Sequence, residues 1–288
     1  MKRRITTLSA AAATAVAAGL ALAPWAGSQA ATTSAGAAQA RTAGALPVIH
    51  VAMNGKKITV SGALQSGGVR IVSSVTGENG GDPTFIRLDP GVTFAQFEKA
   101  LPAIGADPNN LDGIGAIVMS AMVSKGTSSL QTSLAPGQYV AGDVAASGVP
   151  PLTTFTVTRA TAPASLPRPA ATVASIEFGF RGASRLHDGE LVRFENRGFL
   201  VHMIVAFRGS SLAGARKMAQ LLHEGRDGQA QKMATGFASY VNLLSHDGAQ
   251  QLVVNSKPGY WVLACFMTTQ DGREHTRLGM ERVIRIVR

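Results

Sequence analysis

The chain has 288 residues, a formal charge of +10 at neutral pH and a single cysteine. Hydrophobic residues make up 45% of the sequence, which excludes an intrinsically disordered chain, and one cysteine excludes an intramolecular disulfide, a cysteine-rich zinc site and an iron–sulfur cluster. The excess of basic over acidic residues would be typical of a protein that binds nucleic acid. The arginines are dispersed, however, and aromatic residues amount to 6%, so we expect no nucleic-acid partner.

The first 30 residues are organised like an export signal. Basic residues occupy positions 2–4, an Ala-, Leu- and Val-rich stretch follows, and Ser-Gln-Ala at 28–30 suits cleavage. A membrane-spanning helix is the alternative, but the stretch is short and weakly apolar. We predict a signal peptide at 1–30, a flexible tether at 31–46 and no transmembrane anchor after cleavage. The mature protein is expected in the periplasm, the cell envelope or outside the cell, by Sec or twin-arginine export.

The remaining chain carries the same order of parts twice, at an offset of about 120 residues. A segment with Glu-Asn and glycine at 78–81 has its counterpart at 195–198. The Pro-Gly turns at 136–137 and 258–259 each precede a strand with aromatic residues. A helical pattern follows each Glu-Asn segment, with an apolar stripe made of Phe94, Phe97, Leu101 and Ile104 in the first half and of Leu212, Ala215, Ala219 and Leu222 in the second. We therefore predict one inserted helix in each half.

Between the helices the pattern is typical of strands. The clearest strands of the second half are predicted at 189–195, 201–207 and 282–287. Short strands separated by Gly and Pro turns imply antiparallel sandwiches. The sequence thus predicts an all-β fold with inserted helices: a β-sandwich domain at 47–160, a Pro-rich linker at 161–170 and a second β-sandwich domain at 171–288.

The candidate site lies in the second half, which holds the cysteine and five of the six histidines. Cys265 ends a Gly-Tyr-Trp strand, His275 and Met280 follow it, and His202 follows the Asn-x-Gly-Phe segment that begins at Asn196. One thiolate, two imidazoles and one thioether are the donors of a blue-copper electron-transfer site. Taken alone, a cysteine in a strand is most often a small buried hydrophobe, and a methionine such as Met280 is more often a core residue than a ligand.

These segments resemble the cupredoxin family, which includes plastocyanin and azurin. The matching features are the Asn-x-Gly-Phe segment, the Gly-Tyr strand that ends at the cysteine, and the Cys…His…Gly-Met loop. The resemblance implies two tandem cupredoxin-like Greek-key β-sandwich domains and single-electron transfer through one type 1 copper per chain. Carried over residue by residue, it implies His202, Cys265 and His275 as the strong ligands and Met280 as the weak axial one.

Two features depart from the family pattern. Nine residues separate Cys265 from His275, more than in plastocyanin-like loops, although copper nitrite reductases also have a long loop. Met203 stands where small blue proteins commonly carry an asparagine that ties the ligand loops together by hydrogen bonds. The first domain is expected to be free of metal, because Phe85 and Asp143 occupy the positions of the first histidine and the cysteine.

The other histidines, His187, His223 and His246, match nothing in the family pattern and are predicted to be structural or surface residues. A nucleophilic pair of Cys265 and His275 lacks an obvious oxyanion site, so we expect an electron carrier or copper-binding protein rather than an enzyme.

Two other functions are compatible with the sequence. One is a non-redox binding or assembly module of the envelope on a cupredoxin scaffold. The other is copper storage or delivery, which needs an exchangeable metal. Residues 166–288 carry 16 basic and 10 acidic side chains, so for the electron carrier we expect an acidic redox partner protein. The sequence does not indicate an oligomeric state.

Overall fold

The computed structural model describes residues 45–146 and 149–288. The predicted signal peptide and almost all of the predicted tether lie outside these ranges. Within them, none of the helices has the length and apolar character that crossing a membrane requires.

The described part of the first half contains eight strands and one helix. In chain order they are β1 (Val48–Met53), β2 (Ile58–Gly62), β3 (Gly67–Gly81), β4 (Pro83–Leu88), α1 (Phe94–Ala106), β5 (Gly115–Ser120), β6 (Val123–Leu134), β7 (Gly137–Asp143) and β8 (Leu152–Val157). A short 3-10 turn, Pro108–Leu111, follows α1.

The second half contains nine strands and two helices. These are β9 (Ala171–Ile176), β10 (Gly179–Gly182), β11 (Arg185–His187), β12 (Leu191–Asn196), β13 (His202–Arg208), α2 (Leu212–His223), α3 (Asp227–Met233), β14 (Phe237–Leu244), β15 (Ala249–Val253), β16 (Gly259–Ala264) and β17 (Glu281–Val287). A second 3-10 turn, His275–Leu278, precedes β17.

Helix α1 begins where the sequence satisfies its first backbone donors. The Thr93 hydroxyl accepts from the Gln96 N–H at 3.3 Å, and the Gln96 side chain accepts from the Thr93 N–H at 2.8 Å. Phe97 and Ile104 of the predicted stripe are buried.

The second half was predicted to have one helix, and this prediction was incomplete because the structure has a second helix, α3. Helix α3 is only seven residues long and buries only Ala230, so it has no apolar stripe by which the sequence could indicate it.

Each half is a β-sandwich. In the first sandwich, β2-β1-β3-β6 face β5-β4-β7-β8, and in the second sandwich, β10-β9-β12-β15 face β11-β17-β16-β13-β14. Alternation along β13 sends Ile204 and Ala206 into the core between the sheets, whereas Val205 and Phe207 pack under α2 and α3. The predicted all-β fold with inserted helices is confirmed. The domain limits and the internal repeat stay predictions.

The two sandwiches share one sheet. β6 of the first pairs antiparallel with β15 of the second, through Thr132 opposite Gln250 and Gln131 opposite Gln251, so eight strands form a continuous sheet. The Gln250 side chain is fully buried beside this pairing, donates to the Ser120 and Tyr240 carbonyl oxygens and accepts from the Ser120 N–H. No sequence pattern indicated this junction, because the residues that pair across it are ordinary polar strand residues.

Two buried carboxyl groups lie at the end of the first sandwich that faces β14. An Asp143 carboxyl oxygen accepts from the Asp82 N–H at 2.8 Å, and the Asn242 amide of β14 donates to the Asp82 carboxyl at 2.6 Å. Burial, together with the neighbouring Asp143, raises the pKa of Asp82 to about 7. Near neutral pH this junction therefore holds a carboxyl group that is partly protonated.

We predict that Asp82→Asn changes how stability depends on pH. The native protein keeps a proton on Asp82 that the unfolded chain releases near pH 4, so the free energy of unfolding of the wild type falls as pH rises from about 4 to about 7. At about 1.4 kcal/mol per pKa unit, the loss is on the order of 4 kcal/mol. Urea unfolding at several pH values should show this slope in the wild type and in the exposed-site control Asp112→Asn, but not in Asp82→Asn. Parallel curves for all three proteins would contradict the prediction.

Candidate metal centre

The four predicted ligands lie at one end of the second sandwich. His202 is the first residue of β13, and Cys265 directly follows β16. These strands are antiparallel neighbours, with Val205 opposite Ala264, so the two side chains lie close together. His275 begins the 3-10 turn that returns the chain toward β17, and Met280 immediately precedes that strand.

Three donor atoms form a small triangle. His202 Nδ1 and His275 Nδ1 are 3.2 Å apart, and Cys265 Sγ lies 3.7 Å from the first and 3.4 Å from the second. A triangle with these sides has its centre about 2.0 Å from each corner, close to the metal–nitrogen distance of about 2.0 Å found in zinc proteins. Two nitrogen lone pairs this close repel each other unless a cation or proton lies between them. The triangle therefore fits one metal ion.

Backbone hydrogen bonds bring Met280 to the same place. Its N–H donates to the His275 carbonyl at 2.9 Å, and its carbonyl accepts from the Cys265 N–H at 3.3 Å. Gly279, with φ 101°, adopts the left-handed conformation that ends the 3-10 turn and directs the chain to Met280. The Met280 side chain is fully buried in the core that also contains Cys265. Its role as an axial ligand stays a prediction.

The triangle is closed to solvent, with His202 1% exposed and Cys265 and His275 fully buried. Burial, together with the neighbouring His275, lowers the pKa of His202 to about 3. Burial also lowers the pKa of His275 to about 4, against the opposing influence of Asp107 and Glu177. Both imidazoles are therefore neutral near pH 7 and have lone pairs available for a metal.

Burial raises the pKa of the Cys265 thiol to about 12, although N–H groups of Met203 and Met267 lower it. The Met203 N–H lies 3.4 Å from Sγ. A thiolate forms here near neutral pH only when a cation replaces the proton. The side chain at position 203, where the sequence departs from the family pattern, is not needed for this contact, because the donor is its backbone.

The segment before His202 is organised by one buried side chain. The Asn196 amide donates to the Leu200 and Leu244 carbonyl oxygens at 2.7 and 2.8 Å, and its oxygen accepts from the Gly198 N–H at 2.8 Å. A Cβ at Gly198 would lie 2.8 Å from His202 Nε2, so the segment approaches the imidazole too closely for any larger residue. This gives a physical reason for both residues of the Asn-x-Gly motif.

Two neighbours of the site had no sequence signal. Phe178 packs its ring edge-to-face against His275, with 5.2 Å between ring centroids. The Glu177 carboxyl accepts a hydrogen bond from the Phe199 N–H. Both residues lie in the turn between β9 and β10, far from the ligand segments in sequence, and no motif marked them.

The remaining histidines lie outside the triangle. His223 is 3.3 Å from the Glu281 carboxylate, and His246 stacks on the exposed ring of Phe199, with 5.1 Å between centroids. His187 is exposed. In the first sandwich, Phe85 is buried in the core and Asp143 accepts a backbone hydrogen bond. Among the described residues, His202, Cys265 and His275 form the one cluster of this donor type that could hold a metal.

No family model and no curated protein matches the sequence. Solved structures similar to the chain include auracyanin B, at 14% identity and TM-score 0.27, covering 43% of this chain and 93% of that one. Auracyanin A, described as a blue copper protein from Chloroflexus aurantiacus, is 16% identical at TM-score 0.25, covering 40% and 96%. A multicopper oxidase is 11% identical at TM-score 0.25, covering 83% and 88%. Likeness at these scores assigns no function.

We predict that Asn196→Ala destabilises the metal-free protein. The change removes three hydrogen bonds and leaves buried backbone groups unpaired, a loss of about 2 to 4 kcal/mol in the free energy of unfolding. Urea unfolding measures it. Asn54→Ala is the matched control, since the Asn54 side chain is also hydrogen-bonded to the backbone, as the acceptor of two N–H groups, but lies exposed in a turn. Equal losses in the two variants would contradict the role assigned to Asn196.

Proposed function

We propose that the chain is an exported copper protein that transfers single electrons through the centre formed by His202, Cys265, His275 and Met280. The observation that carries the proposal is the triangle of two imidazole nitrogens and one sulfur with sides of 3.2 to 3.7 Å. Two histidines and one cysteine in a trigonal arrangement, with a weak axial methionine, are the donor set of blue-copper electron-transfer sites.

Copper, when bound, supplies one-electron chemistry at this place. The protein's own groups prepare the site for it. The imidazoles are held neutral by burial, so they need not lose a proton, whereas the Cys265 thiol must release one. The ligand segments are fixed by β13, β16 and the Asn196 hydrogen bonds, so the donors need little rearrangement when the charge on the metal changes.

Burial favours electron transfer over copper storage or delivery. An ion that is passed on must reach a partner's ligands, and donors that are 0 to 1% exposed do not offer that contact. The same enclosure leaves no open position for a substrate, which favours a carrier over a catalyst. We also propose that the partner is an acidic redox protein, because the second half carries the excess of basic residues.

We predict that purified residues 31–288 bind one Cu(II) and become intensely blue, through charge transfer between the thiolate and copper. Cys265→Ser and His275→Ala should abolish the visible absorption, since each removes a strong ligand. The measurement is a visible spectrum together with the copper content.

His187→Ala is the matched control, because it removes an exposed histidine outside the triangle and should leave the spectrum unchanged. A colourless wild-type protein without stoichiometric copper would reject the proposal and favour a non-redox binding or assembly module. Copper that leaves rapidly to a weak chelator would instead support storage or delivery.

For Met280→Leu we predict a copper protein that is still blue but has a higher reduction potential. Without the weak axial donor Cu(II) is stabilised less, whereas the three strong ligands remain and keep the protein blue. A redox titration measures the potential. Met218→Leu, at a fully buried methionine of α2, is the matched control and should keep the wild-type potential. Equal potentials in both variants would show that Met280 is not a ligand.

A further inference from the structure

The segment that positions His202 is also held by the other sandwich. The N–H of Val201, one residue before His202, donates to the side-chain oxygen of Asn109 at 2.7 Å. Asn109 belongs to the 3-10 turn Pro108–Leu111 of the first sandwich. Val201 is only 4% exposed, so its N–H depends on this partner rather than on open solvent.

The Asn109 amide is fixed in the orientation that this bond needs. Its NH₂ group donates to an Asp107 carboxylate oxygen at 2.8 Å, and the same oxygen accepts from the Asn109 N–H at 2.9 Å. With the NH₂ group held on Asp107, the amide oxygen is directed to Val201. The turn itself is anchored by Leu111, which is 2% exposed and packs in the same core as Cys265.

A side chain outside the second sandwich therefore acts on a ligand segment. The resemblance to small blue proteins predicts that an asparagine next to the first histidine ties the ligand loops together, and Met203 cannot do so through its side chain. Asn109 supplies a different restraint: it fixes the backbone one residue before His202, from a turn 92 residues earlier in the chain.

We infer that Asn109 is a positioning residue for the metal centre, and that the metal-free first sandwich takes part in the site through it. The inference concerns the backbone at Val201 and the imidazole orientation of His202. Its part about copper rests on the function proposed above, whereas its part about the backbone does not. A role in joining the sandwiches alone would leave the properties of the metal centre unchanged.

The experiment compares Asn109→Ala, Asn109→Asp and Asn110→Ala. Asn110 is the matched control, because it lies in the same turn and its amide donates to the Ala103 carbonyl at 2.9 Å, away from Val201. Asn109→Asp keeps an oxygen that can accept from Val201 but loses the NH₂ group that Asp107 holds. It therefore tests partial rescue, and it replaces the alanine variant if that one does not fold.

The first measurement is hydrogen exchange of the Val201 amide in the metal-free protein. Loss of its acceptor should speed exchange about tenfold in Asn109→Ala, by a smaller factor in Asn109→Asp, and leave the rate near the wild type in Asn110→Ala. Unchanged exchange in Asn109→Ala would overturn the inference. This result does not depend on copper, so it separates a failure of the inference from a failure of the proposed function.

The second measurement is the reduction potential and the EPR spectrum of the copper-loaded proteins. We expect Asn109→Ala to shift both, Asn109→Asp to shift them less, and Asn110→Ala to stay near the wild type. The positioning role would be overturned if Asn109→Ala kept the wild-type potential and spectrum while its thermal stability fell as in Asn110→Ala. If the wild type binds no copper, the proposed function and this part of the inference both fail.

Discussion

The metal centre depends on the antiparallel pairing of β13 with β16. The register that sets Val205 opposite Ala264 also brings the start of one strand beside the end of the other, so His202 and Cys265 meet. Both strands are central in their sheet and bury residues on both faces, which fixes the register strongly. A slip of one residue would turn Cys265 away from the core, and the triangle of donors would be lost.

Burying two imidazoles and a thiol in this site costs free energy of folding. His202, Cys265 and His275 remain uncharged in the metal-free protein because burial disfavours their ionised forms. The imidazole Nε2 atoms of both histidines are buried without a hydrogen-bond partner among the described residues. Polar groups left in this condition oppose folding. A metal at the Nδ1 and Sγ atoms would recover part of this energy, so binding of the ion and stability of the fold are linked.

The sequence predicted what is local and periodic. The stripe of α1, the strands that became β12, β13 and β17, and the grouping of His202, Cys265 and His275 follow from spacing and from the family resemblance. Contacts between distant segments gave no such signal: β6 pairs with β15 through ordinary polar residues, and Asn109 reaches Val201 across 92 positions. Helix α3 escaped prediction because it buries a single alanine. The β6–β15 pairing and the Asn109–Val201 bond depend on how the two sandwiches meet, which no periodicity within one segment encodes.

The way the sandwiches meet gives the first sandwich a physical role. Asp143, which the predicted repeat places at the position of Cys265, accepts the Asp82 N–H through its carboxyl, so a hydrogen bond helps to hold this end of the first sandwich. The shared sheet and the buried Gln250 couple the two sandwiches at backbone level. A rotation between them would have to break this pairing and the Asn109–Val201 bond together. The rigidity of the backbone at His202, which the proposed electron transfer would require, is therefore a property of both sandwiches, although the donor atoms all come from one.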